Sequence, residues 1–324
     1  MAKVYHKRAC LSTFSRKGGD FTQYDSLYKA CELCARRCGI DRTVGKVGYC
    51  HSTSVPKITR AALHFWEEPI ISGERGSGTV FFSGCSLGCV YCQNRAISRS
   101  SVGRPVTDSE LSDIMLDLER QGAHNINFVT PTHFAPSIIS ATSLARERGL
   151  SVPIVYNTGS FDTVETVRML DGTVDVYLPD LKYYRPKTAR ELSCAESYPE
   201  VAWDAITEMV RQRPEPVIEQ GIMRSGVVVR ILLLPGHVAE AKLNVKRLYD
   251  TYGDRIYVSL MNQYTPMSGM KAPLDRKVTR SEYAELVDYA DRIGLKNAFI
   301  QDDGTQSESF IPEFYNDYRM PKRH

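Results

Sequence analysis

The chain has 324 residues, 42% of them hydrophobic and 24% charged, with a formal net charge of +3. That is enough for a sizeable core, and the charge is too small to argue for nucleic acid or an anionic membrane as partner. No apolar run reaches the ~20 residues that span a bilayer, and the opening MAKVYHKRACLSTFSRKGGD lacks a secretory apolar stretch, so a cytoplasmic protein is expected.

Residues 1–30 are polar with little periodicity and read as an arm. Residues 31–50 carry Cys31, Cys34, Cys38 and Cys50 among the turn residues Gly39, Gly45 and Gly48. Residues 1–60 are therefore expected to form an N-terminal arm and metal loop, 61–300 the main domain and 301–324 a tail. Glu67 and Glu68 precede the first strand, where they either border a substrate mouth or sit in solvent.

Beyond them six apolar, β-branched runs alternate with helix-like stretches. The runs are 78–84, 126–131, 152–158, 174–180, 227–235 and 255–261. The helices fall at 108–122, 136–149, 162–172, 199–212, 239–253 and 281–294, the first with Asp108 as N-cap and Gly122 as its stop. Strand–helix repetition of this kind predicts an α/β fold with a parallel sheet. Polar residues follow many of the strands: Thr132 and His133, Asn157 and Thr158, Asp180 and Lys182, and Gln263. Reactive groups arriving from several strand ends fit a partial (β/α)6 barrel better than a single crevice.

The first run ends in FFSGCSLGCVYCQN, which places Cys85, Cys89 and Cys92 within eight residues. Clustered cysteines in a long intracellular chain read as metal or catalytic sites, whereas the isolated Cys10 and Cys194 read as incidental small hydrophobes. A [4Fe–4S] cluster normally takes four cysteines, so three leave one iron open to a ligand. A zinc ion with a distant fourth ligand is the competing reading.

The C-x3-C-x2-C spacing, with Tyr91 before the last cysteine and the first strand before the loop, resembles the radical S-adenosylmethionine (radical SAM) superfamily. FWEEPIISGERGSGTVFFSGC, INFVTPTHFAP, VYNTGSFDTVETVRMLDGTVDVYLPDLKYY, VRILLLPG and SLMNQYTP are similar to the branch labelled pyruvate formate-lyase activating enzymes, over about residues 31–314. The resemblance implies a cluster on Cys85, Cys89 and Cys92 whose open iron is chelated by S-adenosylmethionine. It implies reductive cleavage to a 5′-deoxyadenosyl radical, and hydrogen abstraction from a substrate such as a glycyl-radical partner protein, another protein, a peptide or a small molecule. An electron donor such as flavodoxin or ferredoxin follows from the same chemistry.

Within that resemblance, the strand-end positions imply contacts to S-adenosylmethionine. Thr130, Thr132 and His133 stand where the superfamily carries Gly-Gly-Glu, a departure that removes a carboxylate. Asn157 and Thr158 end the third strand, and Asp180-Leu181-Lys182 matches the D-x-K of glycyl-radical activating enzymes. Arg230 is charged inside an apolar strand and needs an inward partner. Met261, Asn262, Gln263 and Tyr264 follow the sixth strand, within reach of adenine or substrate.

Cys31, Cys34, Cys38 and Cys50, interleaved with Arg36, Arg37, Arg42 and Lys46, supply four ligands for zinc or a second iron–sulfur cluster. The reading of another class is a non-catalytic metal scaffold that binds nucleic acid through this basic loop; the low net charge counts against it.

Overall fold

The computed structural model describes residues 22–301 and Phe314. The arm over 1–21 with Cys10, and the tail at 302–313 and 315–324, lie outside the described residues. All six apolar runs are strands. The described strands are β1 (Lys57–His64), β2 (Ser77–Phe82), β3 (Arg104–Pro105), β4 (Ile126–Val129) and β5 (Ile154–Thr158), followed by β6 (Val176–Pro179), β7 (Val217–Glu219), β8 (Ile222–Leu232), β9 (Tyr257–Met261) and β10 (Ala298–Ile300). They form one sheet in the order β10-β9-β8-β6-β5-β4-β2-β1-β3, with β7 beside β8.

From β2 to β10 the path is parallel, and its βα connections supply the covering helices. β10 is a seventh parallel strand that the periodicity did not show, because only three of its residues are paired. β1 and β3 add an antiparallel edge. β1 runs across the expected boundary at residue 60, so the chain joins the sheet earlier than its composition suggests. A helix over Thr22–Lys29 also occupies part of the expected arm.

The helices fall where the 3.6-residue period placed them, at Asp108–Arg120, Ala135–Glu147, Val164–Met169, Tyr198–Gln212, Val238–Tyr252 and Arg280–Arg292. An additional one covers Pro186–Ser193. The N-cap of the first is Thr107 rather than Asp108. The Thr107 hydroxyl accepts from Glu110 N while the Glu110 carboxylate accepts from Thr107 N, a reciprocal cap that leaves Asp108 in the first turn, where the helix dipole favours it.

Strand alternation divides the apolar residues between two faces. Val80, Phe82, Phe128 and Tyr156 turn toward the helices and join the large outer core. Val155, Val176, Leu178 and Val228 turn to the inner face, where Ile71 of the short helix Pro69–Ser72 closes over them. Burial on both faces explains why these strands read as continuous apolar runs. The inner apolar layer is a floor. The polar strand ends stand above it.

The N-terminal loop packs against the end of β2 at Gly84, whose φ of +84° and close neighbours both demand glycine. A Cβ there would lie 2.3 Å from the Cys50 carbonyl oxygen and 2.4 Å from Ser52 Oγ. Gly122 has a φ of +98° but nothing within 4 Å of its Cβ position, so it serves as a control for backbone strain alone. Gly84→Ala is expected to lower stability by about 1–3 kcal/mol more than Gly122→Ala, measured from urea midpoints. Equal losses would show that the loop yields freely.

Candidate functional site

Cys85, Cys89 and Cys92 lie on the loop leaving β2, which turns at Gly84 and Gly88 through positive φ. The loop is held from within and without: Cys92 N donates to Cys89 O at 3.2 Å, and Val90 N to Leu192 O at 2.9 Å. Cys85 Sγ accepts from Leu87 N and Cys92 Sγ from Ser98 Oγ, both at 3.4 Å. Burial, and then the neighbouring thiols of Cys92 and Cys89, push Cys85 up to about 12. Cys92 is raised by burial and by Cys89, with Lys182 opposing. A cationic centre would lift this penalty from Cys85 and Cys92 by taking the thiolate charge.

Below the loop runs a chain of charges. Lys182 Nζ donates to Asp180 Oδ2 at 2.7 Å, and Arg230 Nε to Asp180 Oδ1 at 2.8 Å. Arg230 Nη2 donates to Asn157 Oδ1 at 2.6 Å, and Nη1 reaches Glu67 Oε2 at 3.3 Å. Glu67 Oε1 accepts from the amides of Asn127 at 3.1 Å and Asn157 at 3.2 Å. The backbone fixes the geometry: Asp180 pairs with Arg230 across β6 and β8, and Leu181 N donates to Arg230 O at 2.8 Å. Tyr198 adds a brace, its hydroxyl donating to Asp180 O and accepting from Lys182 N.

The charges sort by neighbour. Burial would raise Asp180, but Arg230 and Lys182 outweigh it and hold the carboxyl below its ordinary range. Burial would lower Lys182, but Asp180 and the nearby Cys89 raise it. Glu67 and Glu68 are raised by burial, which Arg230 only partly offsets. Glu68 Oε2 and Asn127 Oδ1 are buried without a hydrogen-bond partner, so this layer has surplus acceptors. Glu67, expected at a substrate mouth or in solvent, has a side chain only 9% exposed that turns to Arg230, Asn127 and Asn157. Asn127 escaped notice altogether, although a polar residue inside the run INFV was the available signal.

The N-terminal loop is threaded into the same region. Arg36 donates to the carbonyls of Ser86, Leu87, Ser193 and Cys194, which ties it to the backbone between Cys85 and Cys89. Cys31, Cys34 and Cys50 are buried and Cys38 is exposed. Burial raises Cys34 to about 12, and the thiols of Cys50, Cys31 and Cys38 add to the rise. Among the described residues no three His, Cys, Asp or Glu side chains are arranged to hold a single metal ion.

Comparison with known proteins gives this arrangement its family. Residues 79–248, more than half of the chain, match the Radical SAM superfamily. The chain belongs to that superfamily. It is 28% identical over 281 residues to the uncharacterized protein MJ0674 of Methanocaldococcus jannaschii, covering 83% of this chain and 77% of the relative. Among solved structures it is similar to a radical SAM methyltransferase from Sphaerobacter thermophilus, at 15% identity and a TM-score of 0.49, covering 70% of this chain and 67% of that one. It is also similar to Streptococcus suis SuiB bound to its precursor peptide SuiA, at 13% identity and 0.47, over 68% of this chain and about half of SuiB, 47%.

Radical SAM membership implies a [4Fe–4S] cluster and S-adenosylmethionine. The thiols of Cys85, Cys89 and Cys92 fit the cluster: three soft donors lie together, with an N–H and a hydroxyl directed at two of the sulfurs and Lys182 nearby. A cluster places its cysteines on different irons, so it does not require them to converge as ligands of one ion do.

The other positions expected to meet S-adenosylmethionine divide into two groups. Asn157, Asp180, Lys182 and Arg230 stand together in the charge chain. Thr132 and Thr158 do not join them. Their hydroxyls meet at 3.2 Å, and Thr158 donates to the buried Asp162 at 2.6 Å, beneath the N-terminal loop. His133 is 1% exposed in that seam: its Nε2 is 2.8 Å from Ser83 O, its own carbonyl accepts from Arg42, and burial and Arg42 lower its pKa to about 3. Thr130 has φ +59°, unusual for a β-branched residue, at the place where superfamily members carry glycine. After β9, Asn262 and Tyr264 are buried, and the Gln263 carbonyl accepts from Gln93 at 2.8 Å, joining this loop to the cysteine loop.

Arg230→Met leaves the Glu67 side chain without its cation and Asp180 with Lys182 alone, and is expected to cost about 3–5 kcal/mol at neutral pH. The folded variant then holds a proton that the unfolded chain releases, so its deficit grows as pH rises above the ordinary carboxylate range and shrinks as pH falls back into it. Urea unfolding at several pH values measures this. A deficit independent of pH would show that Arg230 acts through packing alone.

Proposed function

We propose that this radical SAM enzyme acts on a protein or peptide, with installation of a glycyl radical on a partner protein as the leading case. When bound, the cluster and S-adenosylmethionine supply one-electron cleavage of a C–S bond and a carbon radical that takes hydrogen from substrate. The observation that carries the reading is the hydrogen-bonded chain of Lys182, Asp180 and Arg230 on the inner face, with Lys182 near Cys89 and Cys92.

In this reading Cys85, Cys89 and Cys92 hold the cluster and leave one iron open. Lys182 and Arg230 offer two cations to the methionyl carboxylate, fixed in place by Asp180. Asn157 is pinned between Arg230 and Glu67, with an orientation set before any ligand arrives. Thr130 offers the carbonyl expected to meet the ammonium, with Thr132 and His133 supporting that turn from behind and Thr158 anchoring the neighbouring strand end. A large substrate is supported by the sheet path, which ends at β3 and β10 without closing among the described residues. The D-x-K at Asp180–Lys182 favours the glycyl-radical case. Flavodoxin or ferredoxin would serve as electron donor.

Anaerobically reconstituted, dithionite-reduced protein is expected to release 5′-deoxyadenosine from S-adenosylmethionine, and Cys89→Ala to abolish release. With a deuterated partner protein, deuterium is expected to appear in the 5′-deoxyadenosine. No release from a fully loaded wild-type cluster would sink the enzyme reading; release without deuterium transfer from any protein or peptide would sink the substrate class.

A further inference from the structure

The helix Pro186–Ser193, which the hydrophobic period did not show, begins just after Lys182 and has no side-chain cap of its own at Arg185. Its cap comes from another element. Glu240, in the first turn of the helix Val238–Tyr252, turns its carboxylate to the start of the shorter helix. Oε2 accepts from Tyr184 N at 2.9 Å and Arg185 N at 3.2 Å, and Oε1 accepts from the Thr188 hydroxyl at 2.9 Å. Glu240 is 6% exposed, and among the described residues no cation forms a salt bridge with it; Lys242 pairs with Glu285 instead. A buried carboxylate is costly unless its lone pairs are met. Here every donor belongs to residues 184–188, directly after Lys182.

The same short helix reaches the cysteine loop at its other end. Leu192 O accepts from Val90 N at 2.9 Å, between Cys89 and Cys92. Tyr183, the residue after Lys182, has its hydroxyl 2.6 Å from Ser193 Oγ and donates to the Tyr91 hydroxyl at 2.9 Å. Before Lys182 the chain is held too: Asn244 Nδ2, one turn after Glu240 on the same helix, donates to Leu181 O at 3.4 Å. The helix Val238–Tyr252 therefore grips the backbone on both sides of Lys182. A lysine stem is long and flexible, so the place of its charge depends on the backbone it leaves. That charge meets Asp180 at 2.7 Å.

We infer that Glu240 is the positioning residue for Lys182: it fixes the backbone of residues 184–188, and so holds the Lys182 ammonium beside Asp180, ready for the carboxylate of S-adenosylmethionine. Glu240 touches neither cofactor nor substrate in this role. The inference rests on the part proposed above for Lys182.

Equilibrium binding of S-adenosylmethionine to the anaerobically reconstituted, unreduced full chain reads the effect without turnover. Lys182→Met is expected to raise Kd about 10- to 100-fold, and Glu240→Ala about 10-fold. In the Lys182→Met background Glu240→Ala is expected to add no more than about 2-fold, because the group it positions is gone. Glu240→Gln keeps an oxygen for the two backbone N–H groups and an amide for the Thr188 hydroxyl. It is expected to bring Kd back to within about 2-fold of wild type. An unmoved Kd in Glu240→Ala, even with lower stability in urea, would show a merely structural role and overturn the inference. So would an equal loss with and without Lys182, or a Glu240→Gln variant as weak as Glu240→Ala. If Glu240→Ala does not fold, Thr188→Val, which removes one of the three bonds with little change of shape, takes its place in the cycle. An unmoved Kd in Lys182→Met would remove the part proposed for Lys182 and the inference with it. An affected Lys182→Met beside an unaffected Glu240→Ala overturns the inference alone.

Discussion

The candidate site depends on one permanent charge, Arg230, placed on the inner face of a parallel strand. Such a strand is normally apolar on both sides, and a lone guanidinium there would oppose folding. Here it is held by Asp180 from β6, Asn157 from β5 and Glu67 from the segment before β2. Three elements distant in sequence are thereby fixed to one point, and each brings its own chemistry. Asp180 carries Lys182 toward the cysteines, Asn157 is oriented, and Glu67 is drawn under the strand ends. The ion cluster is better understood as a positioning device than as a source of stability, since buried pairs roughly break even against apolar packing.

A second constraint lies on the other side of the cysteine loop. His133, Arg42, Ser52 and Gly84 form a seam in which nearly every polar group meets a backbone carbonyl. Backbone-to-side-chain bonding of this kind locks loop shape without adding counter-charge. The cysteine loop thus has Lys182 of the ion chain near it on one side and is bonded on the other by the N-terminal loop, through Arg36. The three thiols therefore sit between two walls, each fixed by its own set of hydrogen bonds.

Much of this was legible in the sequence. The six main strands and their helices follow from hydrophobic periodicity, and Cys85, Cys89 and Cys92 from spacing alone. Asp180, Lys182 and Arg230 were visible as charges at strand ends or within an apolar run, because physics leaves few reasons for a charge there. What was hidden depends on distance in three dimensions. β10 pairs over only three residues, too few for a period. β1 carries a mixed pattern, KITRAALH, because it lies at an antiparallel edge. The split between Asn157, which faces inward, and Thr158, which faces the N-terminal loop, is strand alternation at adjacent residues. It follows only once the inner face is known.

The departure at Thr130–His133 takes on a physical meaning in this setting. Superfamily members bring a carboxylate to the end of this strand, and here the strand ends in a left-handed threonine and a buried neutral histidine. Yet the interior does not lack acid. Glu67 is fixed by Asn127 and Asn157, the side chains of β4 and β5 that lie just below the departed position. Glu68 keeps one oxygen unpaired in the same layer. This acid comes from the segment before β2 rather than from a strand end, and Arg230 is its cation. The carboxylates of Glu67 and Glu68 stand beside Arg230 in a layer that the strand-end pattern does not anticipate.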